Sequence, residues 1–217
     1  MTGLTHKRLT KLALKNNSFG KFDKDIVYGS VAEDNFSFIP SIGGLKHYYN
    51  PQQKNKVFNA YTRAVRLFNA SVYFHEKGED KKSHQLFGRC LHIVQDLNNP
   101  FHLSKKRFLT LEHSEFEKKM EEHFIANESL YKKNLPQNQN ILRYDGIEGI
   151  LNKIVKNSVK MLKTDFENNE DQILRNTLDF TLAANELFKS KTNEKLKNKT
   201  KSPVLHENGI SMFLLQQ

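Results

Sequence analysis

Residues Leu91 to Ser104 read LHIVQDLNNPFHLS. The stretch begins as the apolar face of a helix and then runs into Asn98-Asn99-Pro100. It carries His92, Asp96 four residues later, and His102 six residues after that. Side chains at i and i+4 leave a helix on the same face, so His92 and Asp96 can grip one ion. Pro100 blocks helical continuation. A helix from about Asp80 to Leu97 is therefore predicted, with His102 delivered by the chain that leaves it.

Outward from this segment, apolar residues recur at helical spacing. One stripe runs through Val57, Ala60, Tyr61, Ala64, Val65, Phe68 and Val72, and another through Ile147, Ile150, Leu151, Ile154 and Val155. A third uses Ile173, Leu174, Leu178 and Leu182. A first helix is predicted with Thr5 as N-cap and Leu9, Leu12 and Ala13 facing inward. Another is predicted from about Thr110 to Asn127. No stretch shows strand alternation with paired turn signals, so the predicted class is all-α, a single multi-helix domain of seven to nine helices over 1–190. The lysine-rich end, 191–217, reads as a tail: residues 189–201 as a frayed helix or linker, and the apolar ISMFLLQQ as a segment that either docks on the body or is a disordered end. Residues 34–56 and 134–146 read as long, functional-type connections.

Composition narrows the function classes. The chain has 217 residues, 37% hydrophobic, with a mean hydropathy of −0.67. No apolar run approaches the roughly 20 residues of a membrane helix. MTGLTHKRLTKLAL lacks a signal-peptide core, so the chain reads as cytoplasmic unless a leader has been removed. Cys90 is the single cysteine, expected in the core, and no disulfide is available. The net charge of +10 favours anionic partners: phosphate esters, nucleic acid or an acidic lipid surface.

Five of the nine histidines fall into a constellation. His92 with Asp96, and His113 with Glu117, have the i,i+4 spacing, and His102 lies between them. His6 opens the first helix, and Asp34 and His47 flank a long connection. Other metal patterns fail: there is no H-E-x-x-H, no E-x-x-H and no cysteine pair. His75, His84, His123 and His206 fit no ligand pair and read as ordinary surface or hydrogen-bonded histidines. Gly88 lies one turn before His92 and reads either as a point of close approach or as plain packing.

The order and spacing of these residues resemble the zinc-dependent phospholipase C family, whose helical fold is shared with single-strand-specific zinc nucleases. The matching pieces are Thr5-His6, Asp34 in EDN, His47 in HYYNP, the set His92, Asp96, Pro100 and His102, and finally His113 with Glu117. They span residues 5 to 117. The resemblance implies two to three Zn²⁺ per chain. One would be held by Asp34, His47, His92 and Asp96. A second would share Asp96 and take His6 and the chain's N-terminus. A third would take His102, His113 and Glu117. It further implies metal-bound hydroxide attacking the phosphorus of a phospholipid or other phosphodiester, with Asp34 orienting the attacking water. Transient contact with a membrane surface follows from such a substrate.

The chain departs from the family's secreted members in having no tryptophan. The N-terminal residue there is Trp; here Thr2, after removal of Met1, is the expected source of the amine. Glu33 beside Asp34 is the other candidate ligand. Two further functions stay open: a single-strand nuclease or 3′-nucleotidase on the same ions, and a metal-stabilised helical protein without turnover.

Overall fold

The computed structural model describes residues 1–35, 47–50, 59–103, 110–135, 144–164 and 166–199. The side chains of 33–35, 167 and 194–199 lie outside that description. The all-α class holds: among the described residues there are α-helices and three 3-10 turns, and no strand. The helices are α1 (Gly3–Asn16), α2 (Asp23–Asn35), α3 (Ala60–Glu76), α4 (Asp80–Asp96), α5 (Leu111–Lys133), α6 (Gly146–Met161) and α7 (Glu170–Lys199).

Local sequence accounts for the boundaries. The N-cap of α1 is Thr2 rather than Thr5, because the Thr2 hydroxyl accepts from the Thr5 amide at 3.2 Å. Thr5 itself is buried within the first turn. Asn59 and Thr62 form a reciprocal capping box that opens α3. Gly78, at φ +77°, breaks the chain between α3 and α4. Thr110 caps α5 through the His113 amide, and α5 runs past the expected Asn127 to Lys133. Helix α7 continues to Lys199, so the expected division at 190/191 falls inside a helix.

Helix α4 is the central element, packed against α1, α2, α3 and α7. Its apolar side, with Phe87, Cys90, Leu91 and Val94, joins α3, α6 and the middle of α7 in one core. Cys90 is fully buried there, and burial pushes its thiol pKa up, which leaves it a packing residue. Leu9 and Leu12 of α1, Phe116 and Phe124 of α5, and Ile173 and Leu174 of α7 form a second core.

The α2–α4 crossing is unusually close. A Cβ at Gly88 would lie 2.1 Å from the Ile26 carbonyl oxygen, and one at Gly29 would lie 2.1 Å from that of Gln85. Two glycines facing one another thus let the two backbones touch, which settles the reading of Gly88 as a point of close approach. Helix α2 was not anticipated. Its single glycine, Gly29, and scattered apolar residues give no stripe at helical spacing.

Candidate metal centre

Leu91–Leu103 is built to turn. Asp96 ends α4, and the Asn99 amide donates to its carbonyl at 2.9 Å. Asn98 returns its side-chain amide to the Val94 carbonyl, and the Asn99 side chain accepts from the Phe101 amide. Pro100–Leu103 then forms a 3-10 turn. It carries His102 against residues 47–49, where the Tyr49 amide donates to the His102 carbonyl at 3.0 Å. The polar Asn-Asn pair is therefore backbone satisfaction that swings His102 round.

At the meeting of α1, α4, α5 and this turn lie seven of the eight residues singled out in the sequence. The two carboxyl oxygens of Asp96 face different partners. Oδ2 lies 2.6 Å from His47 Nδ1 and 3.1 Å from His92 Nε2. Oδ1 lies 3.1 Å from His6 Nε2 and 3.0 Å from the Met1 amine. Beside them, Glu117 Oε1 lies 2.8 Å from His113 Nε2 and 3.2 Å from His102 Nε2. Two groups meet the spacing of a metal site: His6, His92 and Asp96, and His102, His113 and Glu117. The eighth residue, Asp34, sits in the last turn of α2 next to Glu33. Both side chains lie outside the described ones, so the choice between them is untouched. In the chain that retains Met1, the Met1 amine faces Asp96 and Thr2 caps the helix; the Thr2 amine expected after removal of Met1 belongs to a shorter chain.

The donor chemistry fits divalent ions. His92 Nδ1–H donates to the Ser30 carbonyl, His102 Nδ1–H to the His47 carbonyl and His6 Nδ1–H to Gln95 Oε1. Each Nε2 is thereby left as a lone pair, the state in which imidazole binds metal. These lone pairs face carboxylate oxygens, acceptor against acceptor. His6 Nε2 is buried with no hydrogen-bond partner at all. A cation between them removes the conflict. Four donors placed ~2.1 Å from a tetrahedral ion lie about 3.4 Å apart, close to the separations found here.

Electrostatics point the same way. Burial lowers the pKa of His6 and of His102, and both stay neutral at pH 7. Burial works against charge on Asp96 and Glu117 as well, but the Met1 ammonium outweighs it. Both carboxyls are held below the usual range. The amine responds in kind: burial disfavours its charge, and the two carboxylates raise its pKa from 8.0 to about 11.

Several contributors carried no sequence signal. The Ser30 and His47 carbonyls are backbone atoms. Gln95 is a fully buried amide on α4, tied to His6; nothing in its spacing marks it as a partner of that histidine. His84, outside the constellation, is a satisfied histidine as expected. Its Nδ1 meets the Asp80 carbonyl and its ring stacks on Phe22.

An all-helical fold with histidines and carboxylates converging at one end of its central helix defines a class: helical proteins built round a cluster of divalent-ion donors. The chain belongs to the zinc dependent phospholipase C family, which matches residues 5–179. Among solved structures it resembles the alpha-toxin of Clostridium perfringens, avian strain SWCP, at 13% identity and a TM-score of 0.64. It also resembles the alpha toxin of Clostridium absonum, at 18% identity and a TM-score of 0.67. In each case 92% of this chain is covered, against 65% of the toxin chain, so it spans slightly less than two thirds of those proteins. At such identity the likeness carries the fold. No curated protein matches the chain.

Proposed function

We propose that the chain is a zinc-dependent phosphodiester hydrolase of the phospholipase C type, with phospholipid as substrate. The observation that carries this reading is Asp96, whose two oxygens face separate nitrogen sets while Glu117 gathers a third. In that reading His47, His92 and Asp96 Oδ2 hold one zinc, with Asp34 or Glu33 completing it. His6, the Met1 amine and Asp96 Oδ1 hold a second, and His102, His113 and Glu117 a third. Zinc bound there supplies Lewis acidity towards the phosphate and acidity towards water near neutral pH.

The remaining work belongs to the protein. Second-partner hydrogen bonds hold His6, His92 and His102 in the metal-binding tautomer. The Asp96 side chain is only 2% exposed, whereas Glu117 is 18% exposed, so substrate approaches past Glu117, His113 and His47. Three divalent ions against three carboxylates leave net positive charge to receive a phosphate ester and its transition state. Whichever of Asp34 and Glu33 completes the first set would also orient the attacking water.

A nuclease on the same ions is the second reading. It is favoured by the +10 charge and by a basic groove between α1 and α5 lined by Lys7, Lys11, Lys15 and Lys132. One assay separates the readings: zinc-loaded protein offered phosphatidylcholine vesicles, acidic phospholipid vesicles and single-stranded DNA. The proposal predicts release of phosphorylated headgroup from a vesicle, lowered roughly a hundredfold or more in Asp96→Asn. Cleavage of DNA alone would replace it with the nuclease, and no turnover of any substrate by zinc-replete protein would leave a structural metal site.

A further inference from the structure

Gln95 occupies a fully buried position on α4, next to Asp96 in sequence and facing α1 and α7. Its side chain is held at both ends. Nε2 donates to Thr10 Oγ1 of α1 at 3.1 Å and to Thr181 Oγ1 of α7 at 3.3 Å. Oε1 lies 2.7 Å from His6 Nδ1. The direction of the amide follows from α7. Thr181 donates its hydroxyl proton to the Thr177 carbonyl at 2.7 Å, which leaves lone pairs towards Gln95. A flipped amide would set Oε1 against those lone pairs, and an NH₂ against His6 Nδ1. Thr177, Thr181 and Thr10 are all fully buried, so no water is at hand to repair a mismatch.

We propose that Gln95 is a positioning residue for the second ion: through the chain Thr177–Thr181–Gln95 it fixes His6 as the Nδ1–H tautomer and aims Nε2 at Asp96 Oδ1. The inference rests on the zinc reading of the site. The chain passes polarity in one sense only. Thr177 accepts from Thr181, Thr181 accepts from Gln95, and Gln95 accepts from His6. His6 Nε2 is then a lone pair 3.1 Å from Asp96 Oδ1, buried and without a hydrogen-bond partner. His92 and His102 take the same tautomer from backbone carbonyls. His6 alone among the three takes it from a side chain, so only its orientation is open to substitution.

The test uses the full chain and zinc itself, in competition titrations against a fluorescent chelator. His6→Ala should remove one class of bound ion. Gln95→Leu should weaken that same class 10- to 100-fold, the usual effect of losing such a partner, and leave the others within threefold. Gln95→Glu keeps an acceptor opposite Nδ1 but sets its second oxygen against the Thr181 lone pairs, so it should bind that class between wild type and Gln95→Leu. The double variant His6→Ala with Gln95→Leu should bind as His6→Ala does. Long-range ¹H–¹⁵N correlation on the metal-free wild type should show His6 protonated at Nδ1, a readout independent of how any variant folds. A wild-type zinc profile in Gln95→Leu, equal weakening of every class, or an Nε2–H tautomer would each overturn the proposal. If His6→Ala keeps every class, it is the zinc reading of the site that fails.

Discussion

His92 shows how much a single side chain is asked to do. It is fully buried, its ring stacks on His6 at 3.9 Å, and its two nitrogens face the Ser30 carbonyl and Asp96. In the zinc reading, replacing it by Ala would remove a donor from the ion it shares with His47, together with its hydrogen bond to the Ser30 carbonyl. His92→Ala should lose at least one zinc per chain and all phosphodiester hydrolysis. Binding to the folded state at a free zinc 100 times Kd stabilises by about 2.7 kcal/mol. The variant should therefore melt below the wild type in zinc, and the gap should narrow in chelator; thermal melts in both conditions check this. Equal melting and full activity would contradict the assignment. At this scale the sequence was informative where chemistry sits in side chains with a spacing rule: His92 with Asp96, and His113 with Glu117. It was silent on the Ser30 carbonyl, which has no side-chain signature, and on Gln95, whose role depends on two threonines far away in the chain.

Among the elements, α2 and α4 show how packing serves chemistry. His92 reaches a carbonyl in the interior of a neighbouring helix only because Gly29 and Gly88 let the two backbones touch. Gly88→Ala would place a methyl 2.9 Å from Gly29 Cα and 2.1 Å from the Ile26 carbonyl oxygen. The helices must separate, at a cost of about 1–3 kcal/mol that exceeds the ~1 kcal/mol gained in helix propensity. The expected result is a lower Tm together with weaker zinc binding, because the Ser30 carbonyl moves away from His92. Zinc titration beside thermal melts tests the coupling; a stability loss with unchanged zinc affinity would separate packing from site. Helices α3 to α7 were legible because apolar residues recur along them at helical spacing, as Phe116, Met120 and Phe124 do on α5. Helix α2 was not, since contact through glycine leaves no hydrophobic stripe to read. The cap of α1 was misplaced for a related reason: Thr2 and Thr5 both suit an N-cap, and the choice fell to tertiary contacts, with the Thr2 hydroxyl also bonded to Glu121 of α5.

Across the whole molecule, the donor cluster lies where the two cores meet. Helix α4 brings His92 and Asp96 from the first; α1 and α5 bring His6, His113 and Glu117 from the second. Ions there would tie the two halves together, so metal binding and folding share one free energy. The match over residues 5–179 takes in most of both cores and stops short of Phe180, Leu182 and Phe188. The most direct test is anomalous diffraction at the zinc edge from zinc-loaded crystals of the chain. The account predicts separate peaks beside the two oxygens of Asp96 and a third beside Glu117, each at roughly 2.0–2.2 Å from the nitrogens named here. No peak at Asp96, or zinc found only on surface histidines such as His75 or His123, would contradict it.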